Sequence, residues 1–197
     1  MNLCYYGYGD NMDEIKIRPM EAKDCRAVEK ICIATAPFAL RATKTIRKIT
    51  LLMYNRYYTR VLRDCFVAVN AEDTPVGYIL CASDYNIYRA DYAVNELAAI
   101  RRKSLIGYYF AKNELKLLKK FSDDYPAHLH IDILPEYQGM HIGSRLMKTL
   151  ATHLKSQNVK GLMLCVSPEN HGAIRFYENC GFERICEKAG IVYAMKL

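Results

Sequence analysis

The sequence predicts a single mixed α/β domain with a mainly antiparallel sheet, and three observations predict it. Residues 66–69 (Phe-Val-Ala-Val) and 76–81 (Val-Gly-Tyr-Ile-Leu-Cys) are apolar runs joined by a short polar turn, which is a hairpin signal. Residues 129–134 alternate polar and apolar side chains and lead through a glycine-bearing turn into an amphipathic helix. Residues 161–166, Gly-Leu-Met-Leu-Cys-Val, form the short, continuously apolar run of a buried parallel strand, so the strand–helix–strand order implies a right-handed crossover.

The remaining elements follow in order. Residues 14–18 alternate as a first strand that Pro19 ends. Asp24 stands where it can cap a helix carrying Val28, Ile31, Cys32 and Ala34, which Pro37 interrupts. Ile46, Ile49, Leu52, Met53 and Tyr57 recur at helical spacing and predict one longer helix over 43–62. Residues 84–126 read as a helical insertion rich in tyrosine (Tyr85, Tyr88, Tyr92, Tyr108, Tyr109, Tyr125), rings that line a substrate pocket or pack the insertion onto the core. After the anchoring strand, Ile142, Leu146, Met147, Leu150 and Leu154 mark a helix stripe, and Asn170 caps a further helix that stops at Gly181. Two last strands cover 182–187 and 191–196, and residues 1–13 form a lead-in in which Met1 or Met12 is the start.

Composition bounds the function. A chain of 197 residues, 51% hydrophobic and 25% charged, has material for one soluble core. No run reaches the roughly 18 apolar residues of a membrane span, and the N-terminus lacks the basic start and apolar centre of a secretory signal. The eight cysteines form no C-x-x-C pair and sit mostly in apolar runs, so they read as free thiols of a reducing cytoplasm. The charge of +7 is spread over several segments without a nucleic-acid-binding motif, so a solvated basic surface is the default and neither nucleic acid nor membrane is expected as partner. One asymmetry is local. Residues 137–168 contain no Asp or Glu but carry Arg145, Lys148, Lys155 and Lys160. A helix start stripped of acids behind a glycine turn presents free N–H groups to a polyanion.

Two motifs then carry a resemblance. The turn reads Gln138-Gly139-Met140-His141-Ile142-Gly143, and the later helix reads Asn170-His-Gly-Ala173-Ile-Arg-Phe176-Tyr177 followed by Gly181-Phe182. In these the chain resembles the GNAT superfamily of N-acetyltransferases, whose acyl-CoA signature is Arg/Gln-x-x-Gly-x-Gly/Ala and whose second element is Asn-x-x-Ala-x-x-x-Tyr. The order of elements matches from residue 14 onward, while motif-level likeness is confined to 129–182. The resemblance implies the GNAT fold, splayed where strands 129–134 and 161–166 run parallel. It implies acetyl-CoA as co-substrate, no metal, and acetyl transfer to a primary amine of a small molecule or peptide by direct attack in a ternary complex; a homodimer is allowed. It further implies that Ile133 and Leu134 pair with the pantetheine arm and that residues Gln138 to Ser144 give N–H groups to the pyrophosphate. Asn170, Ala173 and Phe176 border the arm, and Tyr177 is the acid that protonates the departing thiolate. The first signature glycine is His141 here, which adds bulk where the backbone approaches phosphate but keeps its own N–H.

The proton acceptor is read from one strand face. His128, His130 and Asp132 alternate, and a histidine titrates near neutrality, so His130 and His128 are candidates for the base. The segment 126–130 resembles serotonin N-acetyltransferase, where a histidine pair relays that proton through water; Asp132 orients a histidine or is itself the base. Two other readings stand beside these: a metal site of His-x-His with Asp, for which no third histidine or cysteine is placed in sequence to complete it, and a polar face that meets solvent. The run from Leu129 to Gly139 also looks like the acetyltransferase-like domain associated with O-GlcNAc hydrolases. A non-catalytic acyl-CoA-binding regulatory module is the alternative function.

Overall fold

A computed structural model describes residues 15–188 and 190–197; the predicted lead-in and its start lie outside the described residues. Seven strands form one sheet: β1 (Lys16–Pro19), β2 (Phe66–Val69), β3 (Pro75–Ala82), β4 (Ala127–Ile133), β5 (Gly161–Val166), β6 (Glu183–Glu187) and β7 (Ile191–Lys196), in the order β1-β2-β3-β4-β5-β7-β6. Every neighbouring pair is antiparallel except β4 and β5. Those two run parallel and pair only through Ala127↔Leu162 and His128↔Met163, after which they part as a fork.

Each face of the sheet carries its own core. On one, Val67, Tyr78, Leu80, Met163 and Val192 pack with α1 (Cys25–Thr35), α3 (Lys44–Tyr54) and the helices of the insertion, a short α2 (Phe38–Arg41) lying between the first two. On the other, Phe66, Ile79, Cys81, Leu129, Leu162 and Leu164 receive α8 (Ile142–Ser156) and α9 (His171–Asn179). The α8 stripe is the predicted one, with Ile142, Leu146, Leu150 and Leu154 at most 1% exposed. Because side chains alternate along a strand, His128, His130 and Asp132 fall on the first face, with the helical insertion.

Two local readings change. The predicted helix over 43–62 is two, α3 and α4 (Arg56–Val61), separated at Asn55, whose φ of −136° breaks the helical path. Asp24 does occupy the N-cap position of α1, but its carboxylate turns back to Arg18 (2.7 Å) and the Glu21 N–H (2.9 Å) and caps no α1 donor. The insertion holds α5 (Tyr85–Tyr92), a π-turn at Ala93–Leu97, α6 (Ala98–Lys103) and α7 (Leu105–Lys119). Among the described residues all seven cysteines are free thiols, and no helix is long and apolar enough to cross a membrane.

Candidate active site

The fork is flanked by the glycine turn on one side and by the histidine-bearing face on the other. At the turn, Gly139 (φ +81°) and His141 (φ +57°) adopt left-handed backbone, and His141 is the N-cap of α8 without a capping side-chain bond. Arg145 is the first residue of α8 to find a carbonyl, that of His141 (3.1 Å), and no acid occupies the first turn. Among the described residues nothing accepts from the N–H groups of 139–144, so they stand unpaired at the positive end of the helix dipole. Gly143 is fixed by packing: a Cβ there would lie 2.9 Å from Phe176 Cε2 and 3.3 Å from Ile133 Cδ1, so α8, α9 and the end of β4 meet closely.

Other members of the predicted set fall in the same place. Leu134 gives its N–H to Val76 (2.9 Å), and the Ile133 carbonyl accepts from the Gln138 side-chain amide (2.9 Å), which ties the turn back to the strand. Asn170 caps α9 by accepting from the Ala173 N–H (3.1 Å). Met140, His141 and Ser144 are exposed, while Ile142 is buried beneath them. Tyr177 lies in the second core between Phe176 and Phe182, both edge-on, and its hydroxyl meets no hydrogen-bond partner among the described residues. Burial first, and the charge of Asp132 second, push its phenol well above the usual tyrosine range.

On the opposite face the polar groups are tied together. His130 Nε2 lies 3.1 Å from Asp132 Oδ2, and Tyr78 O–H donates to that same oxygen (2.5 Å). The His130 ring stacks on Tyr54 at 5.3 Å. Burial disfavours the imidazolium, but the charge and hydrogen bond of Asp132, with help from Cys32, outweigh it and raise His130 to about 10. His128 is the reverse: burial, then repulsion from His130, lower it to about 3, and its Nδ1 lies 2.8 Å from the Tyr58 hydroxyl. Two histidines two residues apart are thus held in opposite protonation states at neutral pH. Cys32, from α1, brings its sulfur within 4.8 Å of ligand atoms of His130 and Asp132, a third donor that nothing in the sequence spacing reveals.

A sequence model of the acetyltransferase (GNAT) family matches residues 40–182, which spans the insertion, the fork and both motifs. The chain belongs to the GNAT acetyltransferase family. Over 92 residues this GNAT chain is 33% identical to a mycothiol acetyltransferase of Brachybacterium faecium, an overlap of 46% of the chain and 27% of that protein, so it spans about a quarter of that curated relative. A crystal structure of SsHAT superposes with a TM-score of 0.82 at 25% identity, covering 93% of this chain and 98% of the other. The PaiA N-acetyltransferase of Thermoplasma acidophilum, solved in complex with coenzyme A, superposes with a TM-score of 0.60 at 15% identity over 93% and 99%.

Within the GNAT fold the residues present fit acetyl-CoA. The unpaired N–H groups, the acid-free α8 start and the packed Gly143 suit a pyrophosphate at the turn. His141 occupies a left-handed position, which explains why the family's signature has glycine there. Sequence reasoning missed Tyr54, Tyr58, Tyr78 and Cys32 as partners of this strand face. Register gives Tyr78 once β3 is laid against β4, since Tyr78 pairs with Asp132; the others arrive from helices whose docking no local pattern encodes.

Proposed function

We propose that this chain transfers the acetyl group of acetyl-CoA to a primary amine, of a small molecule or a peptide, by direct attack in a ternary complex in the cytoplasm. The observation that carries this reading is the meeting of two features at the β4–β5 fork. The turn of residues 139–144 offers unpaired N–H groups to an anion, and Tyr177, kept protonated by burial, follows Phe176, whose ring packs on Gly143 of that turn. The turn holds the pyrophosphate, and Ile133, Leu134, Asn170, Ala173 and Phe176 border the pantetheine arm that runs into the fork. Bond formation between the amine nitrogen and the thioester carbon expels sulfur, and Tyr177 donates its proton to that sulfur as charge gathers there. A phenol kept neutral by burial is suited to such donation. The strand face bearing His128, His130 and Asp132 forms the acceptor side, where the His130–Asp132 pair fixes the polar wall and His128 shapes its floor.

Thiol release from acetyl-CoA against small amines, peptide N-termini, lysine side chains and aminosugars tests the reading. Amine-dependent release with at least one class is expected; binding of acetyl-CoA without release across all four supports the regulatory module instead.

A further inference from the structure

We propose that Glu114, a carboxylate of the helical insertion, receives the acceptor's ammonium group at the β4–β5 fork and takes its proton before attack. The inference rests on the acetyl-transfer reading above and names its proton acceptor.

Glu114 breaks the pattern of its own helix. Ala111, Leu115 and Leu118 form the buried stripe of α7, and Glu114 lies three residues after the first and four before the last, on that same face. Among the described residues no cation or hydrogen-bond donor pairs with it, although a half-buried carboxylate without a partner is costly. It lines a narrow cavity with Met53 and Tyr54 of α3, Tyr88 and Tyr92 of α5, and His128 at the last paired position of β4 before the fork. The cavity is therefore walled by aromatic and aliphatic side chains, reaches the point where the strands part, holds one unpaired acid, and has room for about one water-sized group, the size of an ammonium head. Tyrosine faces around a carboxylate favour an ammonium ion twice, by charge and by the ring quadrupole.

The charged and titratable surroundings agree. Glu114 acts on Tyr54 of α3, on Tyr85, Tyr88 and Tyr92 of α5, and on Cys165 of β5, all of which it helps hold in their neutral forms. His128 stays neutral, and His130 is the single cation of β4 that acts on Glu114. Burial raises Glu114 to about 7 even against the pull of His130. A base is most useful when its pKa lies near the working pH. His130 keeps its proton to about 10 and is engaged with Asp132, and His128 faces Tyr58. In the step proposed, one N–H proton passes to Glu114 and leaves to solvent. The neutral amine then forms the N–C bond as C–S breaks, Tyr177 gives its proton to sulfur, and the phenolate recovers one from the acylated nitrogen.

Glu114→Gln tests it, with Glu114→Asp as the conservative variant. Three measurements are made on the full chain: acetyl-CoA affinity, amine binding by calorimetry, and the pH profile of amine-dependent thiol release. The expected result is acetyl-CoA affinity within about twofold of wild type, amine-dependent release down by about 100-fold or more, loss of the profile's rising limb near 7, and partial recovery in Asp. Melting temperature is expected not to fall, because the substitution removes an unpaired buried charge. A Gln variant that keeps both the rate and the limb overturns the role of Glu114 and leaves acetyl transfer standing. If wild type releases no thiol with any amine, the transfer reading fails. Calorimetry then decides the site: binding of cationic amines that is lost in Glu114→Gln sustains it, and absence of such binding overturns it.

Discussion

The Tyr58 hydroxyl and His128 Nδ1 lie 2.8 Å apart, joining α4 to β4 at the last residue pair before β4 and β5 separate. The bond is buried, and it holds a histidine that burial keeps neutral to about 3. The unfolded chain titrates this histidine near 6.5, so below that value it binds a proton the folded chain refuses. The associated stability is complete above about 6.5 and is lost as pH falls toward about 3. Melting temperature is expected to drop across that window by the equivalent of a few kcal/mol, and His128→Gln is expected to flatten that part of the slope. Tyr58→Phe strands the ring nitrogen and is expected to cost about 1–3 kcal/mol in denaturant unfolding at pH 7.

His130 behaves with the opposite sign. Its folded pKa is raised to about 10 after Asp132 overcomes burial, so the pair's contribution is complete below about 6.5 and fades as pH rises through about 10. Asp132→Asn removes the charged acceptor that His130 and Tyr78 share. A loss of about 1–3 kcal/mol near neutral pH is expected, together with a large downward move of the His130 titration followed by NMR. A His130 that titrates unchanged in the Asn variant contradicts the pairing.

The turn makes a third prediction, in two opposite directions. His141 holds a left-handed backbone that costs a residue with a side chain about 1–2 kcal/mol. His141→Gly is expected to keep or raise acetyl-CoA affinity and to leave stability level or higher. Gly143→Ala drives a methyl to 2.9 Å from Phe176. It is expected to cost about 1–3 kcal/mol and to weaken acetyl-CoA binding several-fold, since α8 must shift from α9. Calorimetry of acetyl-CoA on both variants reads the contrast.

The parts of this molecule legible in the sequence are those written in local patterns. The β2–β3 hairpin, the apolar β5, the α8 stripe and the two motifs at 138–143 and 170–177 all depend on spacing within one short stretch of chain, and the structure contains the hairpin, the strand and both helices where the patterns put them. What escaped depends on distant packing. The 43–62 pattern continues unbroken through Asn55, yet the chain turns there so that Tyr57 and Tyr58 can reach the core. Asp24 reads as a cap, but Arg18, six residues earlier on β1, claims its carboxylate. Glu114 sits in the run Lys-Asn-Glu-Leu-Lys, which reads as a solvated helix face until α7 is laid over the fork. Cys32 likewise meets His130 only through the docking of α1.

Tyr177→Phe tests most directly whether this phenol protonates the thiolate leaving acetyl-CoA, since the change removes one hydroxyl that bonds to no described residue. The measurement is amine-dependent thiol release set beside acetyl-CoA affinity on the same two proteins. A loss of about 100-fold or more in kcat is expected, with affinity within about twofold of wild type. A Phe variant that releases thiol at the wild-type rate contradicts it.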